Sequence, residues 1–442
     1  MKTLLSRRRY LQGLGALAGA GLPSLMRAAE PAATVRGTAL SLALPALRPG
    51  VPVASDERYW DAVAAQYSTT RELVNLENGY YGIMAQPVLV QYQCNVAYLN
   101  EHNSIYLRQG FDADVARTRA RIAAVLGVQT EEIALTRGAT EALQNLISNY
   151  RGLKPGDTVM YADLDYGSAQ EVFDYLQERR GVKVARIVLP EPASRQGVLD
   201  TYAQALERHP GTRLLLLTHV NNKTGLVLPL AELAQLARSR GVDVIVDAAH
   251  SFGQIDFQLP QLGVDFAAFN LHKWIGAPLG VGFMYIRRER LKDIAPHLIG
   301  ASAEEDDIGS RVHSGTGNTA NVMTVVAALD FQQAIGIANK AARLRYLRDY
   351  WVSRVRGVPG VQVLTPDEPG MAGAITAFRL NGQTSKDANL AIAARLRTEY
   401  GIFTVQRGGV ARGDCVRVTP ALFTRTSDLH RLVAALRAIG RV

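Results

Sequence analysis

Asp243-Val244-Ile245-Val246-Asp247-Ala248-Ala249-His250 is the stretch on which the fold turns. Val244 to Val246 is continuously apolar, as a strand buried on both faces must be. An acid, Asp247, closes the run, and a carboxylate there is costly unless a cation meets it. Strand-like runs of the same kind stand on either side, at Ile133–Thr136, Thr158–Tyr161, Val184–Leu189, Arg213–Thr218, Phe266–Phe269 and Val281–Ile286. Helical spacing fills most of the gaps, at Asp112–Leu126, Glu141–Asn149, Ser168–Arg180, Leu199–Arg208 and Leu230–Arg240. This alternation predicts an α/β domain with a large, mostly parallel seven-stranded sheet covered by helices. Phe266 to Ile286 holds two runs with no helix between them, which predicts a local antiparallel excursion.

After about Gly315 the texture changes. Long helical patterns at Ala320–Ile335 and Ala338–Arg356 precede short strands at Ile375–Leu380, Ile402–Val405 and Cys415–Thr419. Helical stretches at Ser385–Tyr400 and Ser427–Ile439 are mixed among these strands. The pattern predicts a smaller C-terminal α+β domain over 316–442, behind a large domain over 111–315. Residues 56–110 form an N-terminal segment, and 30–55, with Pro31, Pro45, Pro49 and Pro52, reads as a flexible linker.

The formal charge is +9, with 49 Lys+Arg against 40 Asp+Glu. Lys2, Arg7, Arg8, Arg9 and Arg27 carry more than half of that excess in a segment with no acid, which argues against a nucleic-acid partner. The basic stretch precedes an uncharged run, Leu11 to Met26, and then Ala28 and Ala29. Basic, apolar, small is the order of a bacterial export signal, and Arg7-Arg8 is similar to the twin-arginine (Tat) type. Residues 1–29 are therefore expected to direct the protein to the periplasm, with an uncleaved anchor or a basic tail as the other readings. The apolar run is broken by glycines and Pro23, so no stable membrane span is expected after processing. The two cysteines, Cys94 and Cys415, lack metal-ligand spacing, and no metal site is expected. Two buried free thiols is the plainer reading of that pair, a disulfide the other.

Ligands of open α/β sheets collect at the carboxyl ends of the strands. Ile133–Thr136 runs into Arg137-Gly138-Ala139-Thr140 and a helix, whose exposed amides suit a phosphate. A plain threonine cap would look the same. Arg213–Thr218 ends at His219-Val220-Asn221-Asn222, and Phe266–Phe269 at Asn270-Leu271-His272-Lys273-Trp274. A phosphate seat, an acid and a lysine at neighbouring strand ends are what pyridoxal phosphate needs. The lysine forms a Schiff base with its aldehyde, and the acid keeps the ring nitrogen protonated as an electron sink. A nucleotide-binding reading is disfavoured, since neither GxGxxG nor GxxxxGK[ST] occurs where it would be needed.

From about Asn75 onward the chain resembles the class V aminotransferase-fold enzymes (pyridoxal-phosphate-dependent transferase fold type I) of the isopenicillin N epimerase-like and cysteine desulfurase-like group. The likeness rests on Asn78-Gly79-Tyr80-Tyr81-Gly82, Arg137-Gly138-Ala139-Thr140-Glu141, His219-Val220-Asn221-Asn222, Asp247-Ala248-Ala249-His250, His272-Lys273-Trp274 and Ser314-Gly315-Thr316. It implies that Lys273 is the aldimine lysine and Asp247 the partner of the pyridine nitrogen. By the same resemblance His250 and Asn222 reach the phenolic oxygen. Ala139, Thr140 and His272 hold the phosphate, and Tyr166 stacks on the ring. Thr316 would reach the phosphate of a neighbouring subunit, which implies a homodimer with shared sites. Arg417 is implied as the clamp on a substrate carboxylate, with Arg407 and Asn78 as further substrate contacts.

The departures bear on the reaction. The loop Arg407-Gly408-Gly409-Val410-Ala411-Arg412 lacks the nucleophilic cysteine of cysteine desulfurases, and Asn270 stands where those enzymes usually have serine. The expected chemistry is transamination, epimerisation or elimination at the Cα-amino group of an amino acid or peptidic metabolite. Signal and overall plan are similar to a periplasmic branch of the family known from pyoverdine maturation, which implies a tailoring enzyme of a secreted metabolite. A C–S lyase or desulfurase-like enzyme and a non-catalytic cofactor-binding member are the alternatives.

Overall fold

A computed structural model describes residues 44–297, 306–313 and 315–440. The predicted export signal and Ser314 lie outside the described residues. In chain order the strands are β1 (Val74–Asn75), β2 (Ile133–Thr136), β3 (Thr158–Ala162), β4 (Lys183–Ile187), β5 (Thr212–Thr218), β6 (Asp243–Asp247) and β7 (Phe266–Asn270). There follow β8 (Gly282–Ile286), β9 (Val361–Val363), β10 (Thr376–Leu380), β11 (Ile402–Phe403), β12 (Val405–Arg407) and β13 (Cys415–Val418).

The large sheet has seven strands in the order β2-β8-β7-β6-β5-β3-β4. Strands β4, β3, β5, β6 and β7 run parallel, while β8 is antiparallel to both β7 and β2. Every strand expected for this sheet forms, with ends shifted by at most two residues. Period-two alternation explains why the runs read as continuously apolar. Leu215, Leu217, Val244, Val246, Ala267 and Phe269 join one hydrophobic core. Leu214, Leu216, Ile245, Phe266 and Ala268 join the core on the other face. The second core is roofed by the helices Ala139–Asn149 and Gly167–Arg180, through Leu143, Leu146, Ile147, Phe173 and Leu176.

Behind this body a four-stranded antiparallel sheet, β12-β13-β10-β9, packs on the helices Ile337–Val355, Lys386–Tyr400 and Thr426–Gly440. Trp351, Phe378, Leu396, Val416, Val418, Leu432 and Leu436 form its core, together with Leu76 from the N-terminal segment. That segment is stitched in by β1, which pairs parallel with β11.

Two boundaries differ from expectation. Residues 44–55, read as linker, lie on the body: Leu44 and Val53 pack against the main core, and Trp60 Nε1 donates to the Val53 carbonyl at 2.6 Å. Arg48 Nε also donates to the buried Asp56 at 2.9 Å. Helix Thr319–Ile335, placed by sequence in the small domain, instead gives Val325, Ala328, Leu329, Phe331 and Ile335 to the main core. It is apolar on most sides and carries no one-sided stripe from which its neighbour could be read. Helix Gln86–Gln109 has only Val88, Asn95 and Tyr106 buried and bends at Asn103, so it too lacks a readable stripe.

Both cysteines are free thiols, but Cys94 is exposed and only Cys415 is buried, which corrects half of the expectation for that pair. No single helix among the described residues is long and apolar enough to cross a membrane.

Placing Phe331 in the main core has a measurable consequence. Phe331→Ala should destabilise the large body by about 3–5 kcal/mol, seen as an earlier urea midpoint for that body. A shift confined to a separate small-domain transition would return the helix to its sequence-based assignment.

Candidate active site

Strand parity builds the floor of the site. Asp247, Thr218 and Asn270 end β6, β5 and β7 on the same face as Ile245, Leu216 and Ala268, beside the start of helix Ala139–Asn149. That helix has no side-chain cap. Its first amide, Ala139 N, donates to Asn270 Oδ1 at 2.8 Å. The next residue, Thr140, is exposed. Two glycines allow the loops to approach: a Cβ on Gly282 would lie 2.6 Å from Gly138 Cα. His272 sits beside Gly138, its ring fixed by a 3.1 Å hydrogen bond between Nδ1 and the Val281 carbonyl. Burial holds this imidazole neutral, its pKa down to about 4.

Lys273 Nζ lies 2.9 Å from His250 Nε2, and Trp274 Nε1 donates to His250 Nδ1 at 3.3 Å. Because Nδ1 accepts from the indole, the ring proton belongs on Nε2, where it donates to the lysine nitrogen. Such a bond needs the amine lone pair, and hence the neutral, nucleophilic lysine. Burial favours that state, lowering Lys273 to about 8 against the opposing pull of Asp247. Burial also drives His250 well below the ordinary imidazole range, with the Lys273 charge adding to the effect.

Asp247 is buried, and its Oδ1 accepts from Ala249 N at 2.9 Å. Burial raises its carboxyl pKa, while the Ala249 amide and the Lys273 charge work against that rise. Nearby Asp165 accepts from Thr218 Oγ1 at 2.6 Å and from Ala162 N at 2.7 Å. Burial pushes Asp165 up to about 7. Tyr166 precedes helix Gly167–Arg180 and is partly exposed, as are Tyr80 and Tyr81. The Tyr81 and His272 ring centroids stand 6.0 Å apart. Asn222 has a buried Oδ1 with no partner, and its carbonyl accepts from Arg417 Nη1 at 2.6 Å.

On the small-domain side, Arg417 lies mid-strand in β13 and is 1% exposed. Its Nη2 donates to Glu77 Oε1, which also accepts from Arg407 Nη2 at 3.1 Å. Asn78 lines a cavity with Lys273, Tyr67, Lys340 and Phe423. Both ends of its amide are engaged within the chain: Nδ2 donates to the carbonyls of Asn75 and Thr419, and Oδ1 accepts from Asn75. Thr316 is exposed, and the contact expected of it belongs to a neighbouring subunit. Lys273, His250, His272, Asp247 and the Ala139–Thr140 helix start thus converge in one place. Glu77, Asn270, Asp165 and Trp274 join them without having been assigned a role from sequence. Glu77 did leave a signal, as the single charged residue between Val74 and Gly82.

Comparison with known proteins agrees with this geometry. The aminotransferase class-V family model matches residues 86–408. Isopenicillin N epimerase of Streptomyces clavuligerus is 28% identical over 397 residues, covering 86% of this chain and 98% of the epimerase. A cysteine desulfurase of Klebsiella pneumoniae is 28% identical over 330 residues, covering 71% of this chain and 79% of that protein. Among solved structures, a cystine C–S lyase variant with glycine covalently linked to its pyridoxal-phosphate cofactor superposes with a TM-score of 0.74. It is 24% identical and covers 85% of this chain and 99% of that one.

Pyridoxal phosphate is the cofactor, and the residues present fit it. Lys273 offers the aldehyde a buried amine that loses its proton near pH 8, and Asp247 offers the ring nitrogen a buried carboxylate. The uncapped helix start with Thr140 and His272 offers donors for the phosphate. The unpartnered amide oxygen of Asn222 marks a polar group left for a ligand to complete.

Cofactor uptake by the apoprotein should therefore follow the neutral fraction of Lys273. The rate of chromophore appearance should rise with pH through a midpoint near 8, where the lysine loses its proton. A midpoint near that of an ordinary lysine would show that the amine is not held neutral by its surroundings.

Proposed function

Because the chain belongs to the class V aminotransferase family, we propose that it acts at the Cα-amino group of an amino acid or peptidic metabolite, as a periplasmic tailoring enzyme. The observation that carries this reading is the chain from Trp274 Nε1 through His250 to Lys273 Nζ, which sets a buried amine, its pKa lowered to about 8, against an imidazole.

Pyridoxal phosphate, when bound, supplies the electron sink that lets a bond at Cα break. Lys273 Nζ accepts the Cα proton and can return it, as a general base whose pKa of about 8 suits work near neutrality. His250 Nε2 orients that nitrogen. Asp247 holds a proton on the ring nitrogen. Arg417 and Arg407 orient a substrate carboxylate through charge-assisted hydrogen bonds.

Proton transfer, as in epimerisation or transamination, is favoured over sulfur transfer. Cys415 is buried on β13, and burial pushes its thiol up to about 12, far from the accessible thiolate a persulfide requires. No cysteine stands in the 407–412 loop. The likeness to a cystine C–S lyase supports elimination as a second reading, since that route needs only the lysine and the electron sink. A non-catalytic role is disfavoured by the intact Lys273 and Asp247.

The periplasmic assignment rests on the basic-apolar-small order of residues 1–29. The homodimer is supported by exposed apolar side chains on helix Gln86–Gln109, namely Val90, Val96, Ile105 and Leu107, and by Leu279. A second copy covers exposed apolar side chains of this kind in the proposed assembly.

Purified protein should be yellow, and Lys273→Ala should lack that absorbance band. Amino acids and short peptides added to the wild type should shift the band. A colourless wild type that takes up no added cofactor would overturn the reading, and a coloured protein blind to every amine would favour the binding-only alternative.

A further inference from the structure

A single oxygen of Glu77 holds two arginines. Oε1 accepts from both Arg417 and Arg407, while Oε2 is buried and takes no hydrogen bond. The Nε of each guanidinium is also buried without a partner. Arg417 Nη1 is already engaged by the Asn222 carbonyl. Gly79 lies against this guanidinium, and a Cβ there would stand 3.2 Å from Arg417 Cζ. The segment 78–82 joins this cluster to the lysine: Gly79 lies against Arg417, a Cβ on Gly82 would meet the Lys273 carbonyl, and Asn78, Gly82 and Lys273 line one cavity.

Two guanidinium charges against one carboxylate leave a net +1. Each buried polar group left unmade costs about 1–3 kcal/mol. The cluster therefore has room, in charge and in hydrogen bonds, for one more anion. A second anion would meet the free Oε2 of Glu77 in a water-poor setting, where like-charge contact is strongly unfavourable.

We propose that Glu77 is a resident counter-ion that selects the substrate: it shares Arg417 and Arg407 with one incoming carboxylate and rejects a second. The substrates are amino compounds that place a single carboxylate on these arginines, with an uncharged remainder in the pocket. This inference rests on the Cα-amino reading given above and adds a substrate class to it. Glu77 acts on the substrate through charge and is distinct from the groups that handle the Cα proton.

Binding of propionate and of succinate, two acids without an amine, to the cofactor-loaded protein tests this by calorimetry. Wild type should bind propionate more tightly than succinate. Glu77→Gln should tighten both, succinate by about 10-fold more than propionate, because its neutral side chain leaves two guanidinium charges to be met. Arg407→Gln should act in the opposite direction and weaken both. An unchanged succinate-to-propionate ratio in Glu77→Gln would overturn the proposal.

If Glu77→Gln does not fold, the wild type still decides: succinate bound as tightly as propionate or more so sinks the idea. Cofactor uptake is read separately from the absorbance band. Its loss would count against the enzyme reading, and an unchanged selectivity in a fully loaded protein against the Glu77 proposal alone.

Discussion

The hydrogen bond from His250 Nε2 to Lys273 Nζ is the constraint around which the site is arranged. It can form in this sense only if the lysine is neutral, and a neutral lysine needs burial. Much of the surrounding architecture maintains that state. The indole of Trp274 holds the His250 tautomer, and Gly82 brings the 78–82 segment onto the Lys273 backbone, where a Cβ would meet the Lys273 carbonyl at 1.9 Å. Gln332 and Lys340 grip the next two carbonyls, those of Ile275 and Trp274, from the helix pair behind. Helix Thr319–Ile335 is therefore tied to the backbone that follows Lys273 as well as to the core.

Lys340 shows why a shifted pKa alone does not identify the reactive amine. Burial lowers it further than Lys273, to about 7. Its Nζ nevertheless donates to the Trp274 carbonyl and, at 2.7 Å, to Gln332 Oε1, so its hydrogens hold structure together. Lys223 is likewise buried and donates to the carbonyls of Asp163 and Gly409, pinning the 407–412 loop to the large sheet. Of these three buried lysines, only Lys273 faces a hydrogen-bond donor.

The large sheet was legible in the sequence because each central strand is buried on both faces, so Leu214–Leu217 and Val244–Val246 read as unbroken apolar runs. The chemistry at its edge was legible for a related reason: Asp247, His272 and Lys273 are polar groups closing apolar strands. The small-domain contribution was harder to read. Arg417 could be placed by resemblance, but its partner Glu77 lies hundreds of residues away, and the β1–β11 and Glu77–Thr419 pairings help bring the two together. Asn270 was noticed as a departure from the desulfurase pattern, yet its bond to Ala139 depends on the approach of Gly138 and Gly282. Helix Gln86–Gln109 escaped assignment because it is mostly exposed, whereas Thr319–Ile335 was legible as a helix but not in its placement, since it is mostly buried and shows no one-sided stripe.

Among several buried lysines, the geometry at His250 singles out Lys273 as the one to carry the cofactor. Borohydride reduction of the loaded protein, followed by proteolysis and mass spectrometry, locates the attachment directly. The pyridoxyl group is expected on the peptide containing Lys273; its recovery on Lys223 or Lys340 would contradict that assignment.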